Sequence, residues 1–258
     1  MNIIDSLQLP PSARIHINLP KNLLKKHGFT DALLDEIVVQ NGKTQCYDNA
    51  VIAPRTCAIP VYHDETRLYD EIHIIEIDLR TRAHIGALEP LFLQAIPYQI
   101  ILICSHAKDN HRQYRATAAI SRNNQHNADK NILESTVSTD WLDETDAFWS
   151  SLAISHLNRR NLFALYNDFY DSICLRNLRH PYPEAVIDRA NARALYRAYL
   201  QLAEQLDACT TALRRETQFA RRLDLVAQIQ QIQNQIHALP TQYATSQNEC
   251  AESVSVRI

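Results

Sequence analysis

Alternating apolar and polar positions dominate the first half of the chain, and helical spacing dominates the second. Residues 14–19 place Ile15, Ile17 and Leu19 on one face, as a half-buried strand requires, and Pro20 ends the run. Residues 21–27 suit two helical turns closed by Gly28, and Thr30 caps a short helix through Leu34. Residues 36–40 and 43–47 flank Asn41-Gly42, a dipeptide suited to the positive φ angles of a type I′ turn, so a β-hairpin is predicted. Residues 55–61 and 70–79 read as extended. In the second of these the apolar parity flips between Ile74 and Ile75, which calls for a bulge or a central strand covered on both faces.

Residues 85–96 have helical spacing through Leu88, Leu91, Phe92 and Ala95, and the apolar run 99–104 reads as a buried strand. Two further strands are expected at 114–121 and 133–138, with the polar stretch 122–130 as an exposed hairpin loop. The order β-α-β-β-β-β-α-β-β-β has too few crossover helices for a doubly wound parallel sheet. The expected fold class is therefore α+β, with a mostly antiparallel sheet and covering helices over residues 1–140.

Near Trp141 the period changes. Residues 141–183 read as a helical bridge with apolar faces through Phe148, Trp149, Leu162, Leu165, Tyr166, Phe169, Tyr170 and Ile173, broken by His180-Pro181-Tyr182-Pro183. Residues 184–240 carry two heptad seams: Leu195, Tyr199, Leu202, Leu206, Cys209 and Leu213, then Leu225, Ile229, Ile232, Ile236 and Leu239. The two seams share no phase, so the segment is either one long stuttering coiled-coil helix or a helical hairpin turning around residues 210–216. A single rod would extend about 80 Å and would need a partner. Residues 241–258 are polar and read as a flexible tail.

Composition narrows the function classes. The chain has 258 residues, 46% apolar, and only three glycines, Gly28, Gly42 and Gly86, too scattered for a phosphate-cradling loop. There is no G-x-S-x-G elbow, and no apolar stretch approaches the ~20 residues of a membrane span. The first residues lack the features of a secretory signal, so a cytoplasmic chain with free thiols is expected. Cys46, Cys57, Cys104, Cys174, Cys209 and Cys250 include no C-x-x-C pair, and neither a metal nor a cofactor is predicted.

Two clusters carry candidate chemistry. Glu71, His73, Glu76 and Asp78 form an acid-and-imidazole strand that could hold Mg²⁺ in a nuclease, although Glu76-Ile77-Asp78 lacks the lysine usual in such motifs; a charged strand edge explains the same residues. Arg189, Arg193 and Arg197 repeat every four residues, and with Arg214, Arg215, Arg221 and Arg222 they form a guanidinium-rich face suited to acidic protein patches or phosphates. A solvated face paired with Glu184, Asp188, Glu204 and Asp207 explains these too. The net charge of −3 argues against a dedicated nucleic-acid binder.

Leu19-Pro20-Lys21, Ala53-Pro54-Arg55-Thr56, Asp70-Glu71-Ile72-His73-Ile74, Ala95-Ile96-Pro97-Tyr98 and Glu216-Thr217-Gln218-Phe219-Ala220-Arg221 resemble a bacterial family of unknown function, numbered 4391, over roughly residues 8–240. The resemblance implies a non-catalytic accessory or scaffold subunit, since such proteins are often encoded beside helicase and DNA-methyltransferase genes in restriction-like or phage-defence loci. It carries over no catalytic residue. The expected partner is such a neighbour, or a second copy of the chain, docked on the helical end, with nucleic acid a further candidate and no membrane involved.

Overall fold

A computed structural model describes residues 3–108, 111–123 and 131–255. Seven strands form one mixed sheet among the described residues: β1 (Arg14–Asn18), β2 (Cys46–Ile52), β3 (Ile72–Leu79), β4 (Gln99–Lys108), β5 (His111–Asn123), β6 (Asn131–Ser138) and β7 (Leu142–Asp143). The first six lie side by side in chain order, and β7 pairs with the start of β5 beyond the end of β6. Only β3 and β4 run parallel, because only they are joined by a crossover helix, α1 (Ile85–Ala95); the other pairings are antiparallel. The architecture is thus α+β with a mixed sheet and C-terminal helices.

Local chemistry explains the short elements. Asn41 and Gly42 take φ values of 52° and 75°, giving the predicted hairpin between Val39–Gln40 and Lys43–Thr44. Thr30 Oγ1 accepts the Leu33 N–H at 3.4 Å and caps the helix Asp31–Asp35. The extended reading of residues 55–61 is corrected: Pro54–Cys57 form a helical turn. Pro54 has a φ already suited to a first helical position, and Thr56 Oγ1 accepts the Ala53 N–H at 2.9 Å, so the chain coils before Ala58 reverses it at φ 54°. The loop expected at 122–130 begins later, since Arg122 and Asn123 still belong to β5, and residues 124–130 lie outside those described.

One face of the sheet presents Cys46, Ile75, Ile77, Leu79, Ile100, Leu102 and Cys104 to α1 and the two short helices before β2, with Leu24, Leu34, Leu88 and Phe92 buried between them. Within this apolar layer Glu89 of α1 is 5% exposed. It accepts from Arg115 Nε at 2.7 Å, Thr117 Oγ1 at 2.7 Å and Ser138 Oγ at 3.2 Å, tying α1 to β5 and β6. α2 (Leu162–Leu178) supplies Tyr166, whose hydroxyl donates to the Ile100 carbonyl at 2.8 Å and accepts the Ala119 N–H at 3.1 Å. These bonds tie the bridge, as far as Ile173, into the sheet's own unit. The chain divides into compact units 1–173 and 174–258, a boundary inside α2 rather than at the change of period near residue 140.

The second unit is built on α3 (Arg189–Arg215) and α4 (Phe219–Ser255). Contacts between Cys209 and Gln228 and between Asn191 and Tyr243 show that the two helices run antiparallel. At the turn, Glu216 Oε1 accepts the N–H groups of Thr217 and Gln218, each at 2.8 Å, and Arg222 Nη1 donates to the carbonyls of Leu213 and Glu216. These bonds satisfy helix-end groups that would otherwise lack partners. α4 continues through Pro240. Proline has no N–H to offer the Ile236 carbonyl four residues back, and the Tyr182 hydroxyl donates to that carbonyl at 2.8 Å instead. The polar segment after residue 240 therefore begins as helix.

Glu89→Ala leaves the Arg115 guanidinium without its carboxylate and is expected to lower unfolding free energy by about 3–5 kcal/mol in urea titrations; a loss below about 1 kcal/mol would mean the network adds no net stability. Tyr182→Phe removes the bond that bridges Pro240 and is expected to cost about 1–2 kcal/mol. Hydrogen exchange of the amides just after Pro240 should accelerate, and unchanged protection there would show that the hydroxyl is dispensable.

Candidate functional site

Strand alternation distributes the polar residues of β3 between two faces, next to a bulge in β2. In β2, Asp48 pairs with Ile75 and Ala50 with Ile74, so Asn49 is an extra residue facing no single partner. Of the two expected causes of the parity flip at Ile74–Ile75, coverage on both faces is the one found: β3 itself is unbulged and central, with Ile74 and Ile75 both buried, while the bulge lies in its neighbour β2. Because β3 pairs with β4 in unbroken register, its side chains alternate regularly. Glu71 and His73 fall on the side of Ile75, and Glu76 and Asp78 on the other. The acidic strand read as one cluster is therefore two.

On the first face, His73 Nδ1 lies 2.6 Å from Asp48 Oδ2 and Nε2 lies 3.3 Å from Glu71 Oε2, while Arg55 pairs with Glu71 Oε1 at 2.8 Å. The Tyr98 ring stacks on the imidazole with centroids 4.7 Å apart. Burial pulls His73 toward neutrality, but the hydrogen bond and charge of Asp48, with Glu71, outweigh it and raise its pKa above the ordinary 6.5. The result is a half-buried chain of alternating charge, Asp48–His73–Glu71–Arg55. Both ring nitrogens are taken up by carboxylates, which leaves the imidazole no free nitrogen for a substrate proton. The arrangement pins the Pro54–Cys57 turn against β3.

The second face carries a separate chain. His16 Nδ1 donates to Asn49 Oδ1 at 2.7 Å, and Asn49 Nδ2 donates to Glu76 Oε2 at 2.8 Å. His16 also stacks on Tyr47, centroids 4.2 Å apart. Burial pushes the Glu76 carboxyl above its ordinary value, opposed by Arg112 and the Asn49 bond and assisted by the charge of Asp78. Asp78 accepts from Arg112 Nη2 at 3.1 Å and from Ser105 Oγ at 3.3 Å. Among the described residues no group of three or more His, Cys, Asp or Glu is placed to hold a metal ion. Cys104, at the end of the apolar run, is fully buried, and its thiol is pushed far up by burial.

The arginines of the second unit serve different ends. Arg189 and Arg193 are partly buried and engaged with neighbours, Arg197 is exposed, and Arg214 and Arg215 are exposed in the last turn of α3. Arg222 closes the inter-helix turn, and Arg221 lies 3.9 Å from Glu216. Along the seams, Leu195, Ile232 and Leu239 are buried, while Tyr199, Leu202, Leu206, Leu213, Leu225, Ile229 and Ile236 are partly covered. Outside them, Phe219, Leu223 and Val226 step by four and three along α4 and are 75%, 55% and 51% exposed. Heptad matching passed over this stripe because it lies off the seam. Glu89, Asn49 and Arg82 were also missed; a lone acid in an apolar helix was the only available hint.

The raised pKa of His73 has a definite sign in stability. Its contribution is complete below about pH 6.5 and is lost as pH rises through the folded-state value. His73→Gln is expected to destabilise the chain by about 3 kcal/mol at pH 6 and by less at pH 8. Urea unfolding at the two pH values checks this, and an identical pH dependence in both proteins would remove the charged imidazole from the account.

Among the described residues, no helix is long and apolar enough to cross a membrane. No curated protein and no solved structure matches the chain. A family model does, that of the Domain of unknown function (DUF4391), across residues 7–236, from the strand β1 through most of the antiparallel helix pair. With nearly its whole length matched, the chain belongs to the DUF4391 family.

Proposed function

We propose that this protein is a non-catalytic accessory or scaffold subunit of a bacterial restriction-like or phage-defence DNA-processing assembly, docking a protein partner at the turn between α3 and α4. The observation carrying this reading is the exposed Phe219–Leu223–Val226 stripe at the start of α4, in a unit that also exposes Arg214, Arg215 and Arg221 around the turn. The heptad residues of α3 and α4 face each other as an antiparallel coiled-coil hairpin, so they supply internal stability and leave the stripe as the outward apolar surface. An exposed aromatic with arginines close by in the sequence has the composition of interaction hot spots. Its complement is an amphipathic helix with an acidic rim, whose apolar residues cover Phe219 and whose carboxylates meet the arginines. The charge chain around His73 serves the sheet and competes for no substrate.

Light scattering on a sizing column tests the reading, with the chain alone and with the helicase or methyltransferase encoded beside it. A hetero-complex is expected, and Phe219→Ser with Leu223→Ser should weaken it at least about tenfold, or 1.4 kcal/mol. Arg221→Glu should slow association and alter its salt dependence. A chain that keeps its 29.6 kDa mass with every neighbour overturns the proposal. A doubled mass of the chain alone, lost in the serine variant, would assign the stripe to a second copy.

A further inference from the structure

We infer that the cleft at the carboxyl ends of β3 and β4 binds a phosphate ester. These are the two parallel strands joined by α1, and ligands of open α/β sheets collect at that edge because the connecting loops leave room between strand ends. The cleft has a volume of about 830 Å³ and is lined by Arg80, Thr81, Arg82, His106, His111 and Gln113, with no carboxylate in the lining among the described residues. That volume exceeds a phosphate group alone and admits the group it esterifies.

Its donors are held in place from behind. The Arg82 guanidinium lies 4.4 Å from the centre of the Trp141 ring and donates from Nη2 to Gln113 Oε1 at 2.6 Å. Its Nε is buried and has no hydrogen-bond partner, a state proteins seldom leave a cation's donor in. His106 Nδ1 donates to the Leu79 carbonyl at 3.0 Å, which fixes the ring and leaves Nε2 for another partner. Arg80 is exposed at the same strand end. The loop carrying both arginines is anchored by Glu36, which accepts from Thr81 Oγ1 at 2.6 Å and His84 Nδ1 at 2.8 Å, so Glu36 is occupied outside the cleft. His111 and Gln113 are likewise oriented by Asp143, at 2.7 and 2.9 Å. Two guanidinium groups and one imidazole in the lining, with the Asp143 carboxylate already bonded to His111 and Gln113, suit a doubly charged oxyanion, whose oxygens guanidinium forks bind in pairs.

The test uses the full chain and inorganic pyrophosphate, ADP and citrate as probes, followed by calorimetry and by tryptophan fluorescence, since Trp141 lies beneath Arg82. Saturable binding of pyrophosphate or ADP is expected. Arg82→Lys should weaken it about tenfold or more, because lysine keeps the charge and loses the fork. Arg80→Ala, at an exposed position, should weaken it severalfold without altering thermal unfolding. The inference is overturned if neither phosphate probe saturates by about 10 mM, if both variants bind as the unaltered chain does, or if citrate binds as tightly as pyrophosphate. The cleft lies wholly within the first unit, so this result and that of partner docking are measured separately.

Discussion

The two polar chains at the centre of the sheet lie on opposite faces beside one extra residue, Asn49. Without Asn49, β2 would pair with β3 in simple alternation, and the side chains on its two sides would keep one pattern from end to end. The bulge shifts that pattern by one position. Just before it, Asp48 meets His73 across the strands on one face, and Asn49 bridges His16 and Glu76 on the other. Ile74 and Ile75, adjacent in sequence, are both buried because both faces of the central strand are covered. The residues that look like one acidic site in the sequence are separated by the thickness of a sheet.

The same logic of satisfying polar groups at a distance recurs through the fold. Tyr166 brings one hydroxyl to a carbonyl and an amide of the sheet, and Glu89 brings one carboxylate to three donors on two strands. In the helical unit, Glu216 and Arg222 close the turn from opposite sides, one accepting amides and the other donating to carbonyls. The guanidinium-rich face is correspondingly heterogeneous. Arg222 is structural, Arg189 and Arg193 are engaged, and Arg214, Arg215 and Arg197 remain exposed.

Elements governed by near neighbours were legible in the sequence. Asn41-Gly42 specifies its turn through φ alone, Thr30 caps its own helix, and the run 99–104 is apolar enough to be a buried strand wherever it pairs. The seams of α3 and α4 were visible, whereas one rod and two antiparallel helices share the same heptads and differ only in what residues 216–218 do. The Pro54–Cys57 turn was missed because its β-like composition is overridden by one threonine hydroxyl. The site was less legible still. Grouping Glu71 with Asp78 required knowing which face each occupies, and that is a property of strand alternation and register. Arg82 gave no sign, since its burial comes from Trp141 and Gln113, 59 and 31 positions away.

The bond from Tyr182 to Ile236 couples segments 54 residues apart and bears on the order in which the second unit assembles. The stretch of α4 before Pro240 can propagate from its own amides, but nucleation beyond the proline begins with a vacancy in the backbone ladder. That vacancy is filled only after the segment carrying Tyr182 has docked. The helicity of the end of α4 therefore depends on a tertiary contact as well as on its own amides.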